Sequence, residues 1–132
     1  MLTKVLDSYA LMAFLQDEPG AETVENLLIA AGEGKTHLMM CIVNLGEVWY
    51  STTRAVSPEA ADRYIQQIQG MDIEFVDADW SLTRCAASYK STGGISYADC
   101  FAAALTKTVN EELVTGDKEF KKLESEIKIA WL

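Results

Sequence analysis

Lys4-Val5-Leu6-Asp7-Ser8-Tyr9-Ala10-Leu11 is the stretch whose reading decides the fold. A short apolar run closes on a carboxylate, passes a residue able to cap a helix, and continues into helix-compatible residues. That order predicts a buried strand ending at Asp7 and turning directly into a helix. Asp7 would then stand at the carboxyl end of a strand, the edge of an open α/β sheet where ligands bind. The same carboxylate also suits the plainer role of helix N-cap, which contributes about 1 kcal/mol. Taken alone the stretch favours the cap, and only the acids further along the chain change that balance.

The 132 residues fit a single domain over 1–132 with enough volume to bury a core unaided. With 49% hydrophobic and 23% charged residues, two prolines and eight glycines, the composition excludes disordered and collagen-like classes. No apolar run approaches the roughly 18 residues of a membrane span. Asp7 and Asp17-Glu18-Pro19 interrupt the first apolar runs, unlike a secretory signal. A cytoplasmic protein without membrane contact is therefore expected. Cys41, Cys85 and Cys100 are widely spaced, so they read as small hydrophobes rather than a disulfide framework or zinc site. A lone histidine, His37, leaves little scope for His-based catalysis. The net charge of -9 argues against a broad nucleic-acid surface and leaves room for a compact acidic site that binds cations.

Along the chain, strand and helix patterns alternate. A helix over 8–16 is followed by one carrying Val24, Leu27 and Leu28, then by a buried strand at His37–Cys41 and a helix from about Val43 to Arg54. On that last helix Ile42, Leu45, Gly46 and Trp49 form the expected apolar stripe, with Glu47 to one side, level with Val43, Tyr50 and Arg54. Ser57-Pro58 opens the next helix, which stops at Gly70. Residues 71–76 alternate as a strand near the sheet edge, and Asp77 or Asp79 caps the helix after it. Ser96 to Asp99 has the spacing of a capping box ahead of an alanine-rich helix. Glu112 to Asp117 and Ile127 to Leu132 read as two more strands around a short helix at 118–123. This order predicts a three-layer α/β/α domain with a largely parallel sheet.

Two strands thus end in an aspartate, Asp7 and Asp117, and two helices carry an acid, Glu47 and Asp99. Neighbouring strands would bring the two aspartates together at one edge, and Asp99 could lean over it. Carboxylates gathered without lysine or arginine raise one another's pKa values, and a divalent cation resolves the repulsion. Magnesium and manganese prefer such oxygen ligands. Each acid also has a structural alternative: Asp7 and Asp117 as caps, Asp99 as the partner of Ser96, Glu47 as a solvated side chain.

Leu6 to Leu11, Asn44 to Val48, Tyr97 to Ala104 and Leu113 to Phe120 together resemble the four acidic motifs of PIN domains, most closely the VapC-type toxins of prokaryotic toxin-antitoxin pairs. The resemblance implies a PIN-like fold and a magnesium or manganese site made of Asp7, Glu47, Asp99 and Asp117. Asp7 and Asp99 would be the firmest ligands, Thr115 would orient a carboxylate or water, and Glu119 would be a fifth acid or a solvated helix residue. It further implies hydrolysis of an RNA phosphodiester, a small antitoxin lying in an apolar groove lined by Leu11, Leu15, Trp49 and Tyr50, and a homodimer. The alternative is a catalytically silent PIN-like module that binds protein or RNA. Because the chain is acidic, RNA would need local cations, for which Arg54, Lys90, Lys107, Lys118 and Lys121 are candidates.

Overall fold

The computed structural model describes residues 2–132. Its centre is a five-stranded, all-parallel sheet in the order β3-β2-β1-β4-β5, made of Leu2–Leu6 (β1), Thr36–Cys41 (β2), Ile73–Val76 (β3), Glu112–Thr115 (β4) and Lys128–Trp131 (β5). The alternation seen in the sequence is realised, and 71–76 shortens to an edge strand as expected. The chain starts in the middle of the sheet, steps outward through β2 and β3, then returns to the other side of β1 with β4. That reversal creates a topological switch point between β1 and β4, the crevice where ligands bind in open α/β sheets.

Six α-helices among the described residues cover the two faces: Ser8–Leu15 (α1), Ala21–Gly32 (α2), Ile42–Ala55 (α3), Pro58–Gln69 (α4), Trp80–Ser91 (α5) and Tyr97–Val109 (α6). The period-2 direction of strand side chains separates the core in two. Leu6, Leu38, Met40 and Val114 meet Leu11, Val24, Val48 and Ile68 on the side of α1 to α4. Val5, Cys41 and Leu113 meet Leu82, Ala86 and the helix α6 on the other. Alanines 102–104 are fully buried, which lets α6 approach the sheet closely. None of the helices among the described residues is long and apolar enough to cross a membrane.

Caps begin the helices where the sequence places them. Ser57 accepts from the Ala60 N–H at 3.1 Å with Pro58 in the first turn of α4, and Asp79 rather than Asp77 caps α5. Helix α3 departs from expectation. Its buried face is Asn44, Leu45, Val48 and Thr52, whereas Ile42 and Trp49 are about two-fifths exposed and line a shallow groove with Gly46 and Ile65. Both stripes have helical spacing, and the sheet takes the one containing two polar residues because their side chains find internal partners: Asn44 reaches the Ala98 carbonyl at 3.0 Å, and the Thr52 hydroxyl lies 3.8 Å from the Met12 sulfur.

Candidate functional site

Register explains why the acids meet. Leu6 pairs with Val114, so the strands β1 and β4 end side by side and release Asp7 and Asp117 over the same crevice. Asp7 is 1% exposed. One of its oxygens accepts from the Ala10 N–H at 2.9 Å, capping α1, and the other accepts from the Thr115 hydroxyl at 2.5 Å. Thr115 oxygen in turn accepts from the Asp117 N–H at 3.0 Å, so a single buried hydroxyl ties the two strand ends together. Gly116 separates them for a steric reason. A Cβ there would lie 2.4 Å from Cε1 of Tyr9, whose ring covers the turn.

Asp99 arrives from α6. Ser96 accepts from its backbone N–H at 3.2 Å, yet the Asp99 carboxylate does not return the bond as a capping box would. It lies instead with Asp117 and Glu119, an oxygen from each falling within 4.8 Å of the others. Glu119 reaches this position because Asp117 also caps the short 3₁₀ turn Lys118–Leu123, accepting from the Glu119 N–H at 3.0 Å. Of the four acids anticipated, Asp99 and Asp117 therefore form the tightest group, with Glu119 as its third member. Asp7 and Glu47 border it closely enough to raise the Asp99 pKa by their charge.

Glu47 is held by Ser8, which sequence reading overlooked, and by Tyr50, which the sequence sets level with it on α3. Ser8 donates its hydroxyl to one oxygen, and the Tyr50 hydroxyl donates to the other at 3.4 Å. Asn44 is fully buried, and its amide joins α3 to the residue preceding Asp99 while its carbonyl oxygen lacks a partner among the described residues. Simple offsets pointed to all three. Ser8 follows Asp7, Tyr50 follows Glu47 by three positions, and Asn44 precedes it by three, a spacing that places side chains on one helix face.

Burial and mutual repulsion hold two of the crevice acids well above the usual carboxylate range. Burial, opposed by the bonds from Thr115 and Ala10 and reinforced by Asp117 and Glu47, pushes Asp7 up to about 7. Burial together with Asp117, Glu47 and Asp7 pushes Asp99 up to about 8. Among the described residues none of the five acids is ion-paired, since the bridges join Lys4 to Glu112, Lys35 to Glu33 and His37 to Glu74. An all-oxygen donor set of this charge fits a hard divalent ion such as magnesium or manganese. The other anticipated groups lie elsewhere. His37 sits at the start of β2, on the opposite edge of the sheet. Lys90 and Lys107 donate to the backbone carbonyls of Ile95 and Glu126. Leu11 is fully buried in the core and cannot line a groove, while Trp49 and Tyr50 are exposed.

A parallel sheet between two helical layers, with carboxylates gathered at its switch point, defines a class of α/β protein with an acidic crevice. The PIN domain family profile matches residues 4–126, and the chain belongs to that family. The same fold is seen in VapBC2 from Rickettsia felis, solved with a DNA fragment from the promoter (16% identity, 98% of each chain covered, TM-score 0.73). VapBC from Salmonella typhimurium is similar (17% identity, 98% of each chain, TM-score 0.73). So is VapC20 from Mycobacterium tuberculosis, described as a sarcin-ricin loop cleaving toxin (15% identity, 94% of this chain and 95% of that one, TM-score 0.72). None of the curated proteins compared matches the sequence significantly.

Proposed function

We propose that this chain is a magnesium- or manganese-dependent endoribonuclease acting as the toxin of a type II toxin-antitoxin pair. The observation that carries the reading is the grouping of Asp99, Asp117 and Glu119 beside Asp7 and Glu47 at the β1/β4 switch point. Asp99, Asp117 and Glu119 would hold the ion, with Asp7 and Glu47 completing the pocket directly or through water. When bound, the ion supplies a water of lowered pKa and positive charge opposite the phosphate. The remaining work falls to orientation. Thr115 fixes the Asp7 carboxylate, and Ser8 and Tyr50 fix Glu47, so the donors are set before substrate arrives. No nucleophilic side chain is needed, in keeping with the distance of His37 from the crevice.

Membership of the PIN family and the description of one similar structure as an RNA-loop cleaving toxin support the choice of RNA. Similar structures described as VapBC pairs, and one described as a toxin-antitoxin complex, support a small antitoxin as partner, and we extend the proposal to a homodimer. The test is digestion of labelled total RNA by purified, partner-free protein. Discrete cuts are expected with magnesium or manganese, and none with EDTA or in the Asp99→Asn variant. Intact RNA with folded wild-type protein and either metal would favour the silent binding module instead.

A further inference from the structure

We propose that Arg54, held over the ring of Tyr50, is a binding subsite for a backbone phosphate of single-stranded RNA beside the cleaved bond. The inference rests on the nuclease reading and adds a place for the substrate strand. Glu47, Tyr50 and Arg54 are spaced by three and four residues, so they share one face of α3. That face begins at the acidic crevice and, at the rise of an α-helix, carries Arg54 about 10 Å further along the axis than Glu47. Tyr50 touches both ends of the path. Its hydroxyl donates to Glu47, and the Arg54 guanidinium carbon lies 5.2 Å from its ring centroid. Tyr50 is 43% exposed and Arg54 is exposed, so strand and cation can meet.

Charge makes such a subsite necessary. A polyanion approaching five acids on a chain of net charge -9 requires local cations. Five of the ten other lysines and arginines are engaged: Lys4 and Lys35 with glutamates, Lys90, Lys107 and Lys122 with backbone carbonyls. Arg54 forms no ion pair with a carboxylate among the described residues. Lys118 follows Asp117 but has no ring to orient it among the described residues. The cation–π contact holds the guanidinium against the ring while leaving its N–H groups to make a two-pronged contact with phosphate. Exposed Tyr50 beside it offers an aromatic group that an unpaired base can use and a paired one cannot.

The experiment compares wild type, Arg54→Gln, Arg54→Lys and Tyr50→Phe on a labelled 20-nucleotide single-stranded RNA and on the same strand annealed to its complement. Cleavage with manganese provides KM and kcat. Anisotropy in the Asp99→Asn background, at several potassium chloride concentrations, provides the salt dependence of binding. Arg54→Gln is expected to raise KM about five- to tenfold with kcat and manganese affinity unchanged. It should also flatten the slope of log K against log salt by about 0.7 on the single strand, the loss of one phosphate contact. Arg54→Lys should recover the slope but not the KM, and Tyr50→Phe, which keeps the ring but loses the hydroxyl bonded to Glu47, should keep the slope while lowering kcat. Unchanged KM and slope in Arg54→Gln, with wild type still cutting, would overturn the subsite and leave the nuclease reading intact. Tighter binding of the duplex would overturn the single-strand assignment. A wild-type protein that cuts no RNA would overturn the nuclease reading and the subsite with it.

Discussion

The junction between β1 and α1 and the junction between β3 and α5 are built alike. Each ends a parallel strand and starts a helix on an aspartate whose carboxylate accepts at 2.9 Å from the N–H three residues on, Ala10 for Asp7 and Leu82 for Asp79. The difference lies in what stands beside them. Asp7 is buried at the centre of the sheet, where β4 delivers Thr115 and Asp117 and the helices α3 and α6 deliver Glu47 and Asp99. Asp79 is exposed beyond an edge strand, which has no further strand to deliver a second acid. A helix cap and a functional carboxylate are therefore not alternatives. The cap holds the side chain rigid, and the position in the sheet decides whether rigidity is put to use.

The sharpest way to break this comparison is to neutralise each aspartate in turn. Asp7→Asn is expected to lower RNA cleavage by on the order of 10²- to 10³-fold, as loss of a fixed charge in a preorganised site does, while Asp79→Asn leaves it unchanged in a single-turnover assay. Equal effects would mean that sheet position carries no weight.

Stability against pH gives the next largest contrast. Asp7 and Asp99 have folded-state pKa values raised above 3.8, to about 7 and about 8. The folded state therefore holds these protons more tightly than the unfolded chain, and the associated stability is present below about pH 4 and lost as pH rises through 7 to 8. Metal-free wild type should lose stability on the order of a few kcal/mol across that window in chemical denaturation. Asp7→Asn should flatten part of the loss and Asp79→Asn none of it. Added magnesium should restore wild type at pH 8.

Smaller effects sharpen the steric side. Gly116→Ala should cost about 1 kcal/mol by displacing the Tyr9 ring, and a double-mutant cycle with Tyr9→Ala should return a coupling of about 0.5 kcal/mol or more. No such coupling to the distant α5 junction is expected. Last in size, Asp79→Ala should cost about 1 kcal/mol by removing a cap, with activity intact.

Strand ends and caps were legible because their signals are local. Asp7, Asp99 and Asp117 stand next to the residues that place them, and the alternation of elements announced the parallel sheet. The buried face of α3 was not legible, since Ile42, Leu45, Gly46 and Trp49 repeat as regularly as Asn44, Leu45, Val48 and Thr52, and only tertiary partners choose between them. Glu119 drew little weight for a similar reason. Its closeness to Asp99 depends on a 3₁₀ turn and on two strands meeting, neither of which spacing encodes. Ser8 serves Glu47 across two elements, a relation visible only once the crevice is assembled, whereas the helical spacing already sets Tyr50 level with Glu47.

The measurement that bears most directly on the crevice is calorimetric titration of manganese into metal-free protein at pH 7.5, for wild type, Asp99→Asn, Asp117→Asn and Asp79→Asn. Saturable binding is expected in wild type and Asp79→Asn and should weaken at least tenfold, about 1.4 kcal/mol, in the other two. Binding that is absent in wild type, or that survives unchanged in Asp99→Asn and Asp117→Asn, would contradict a metal site at the β1/β4 switch point.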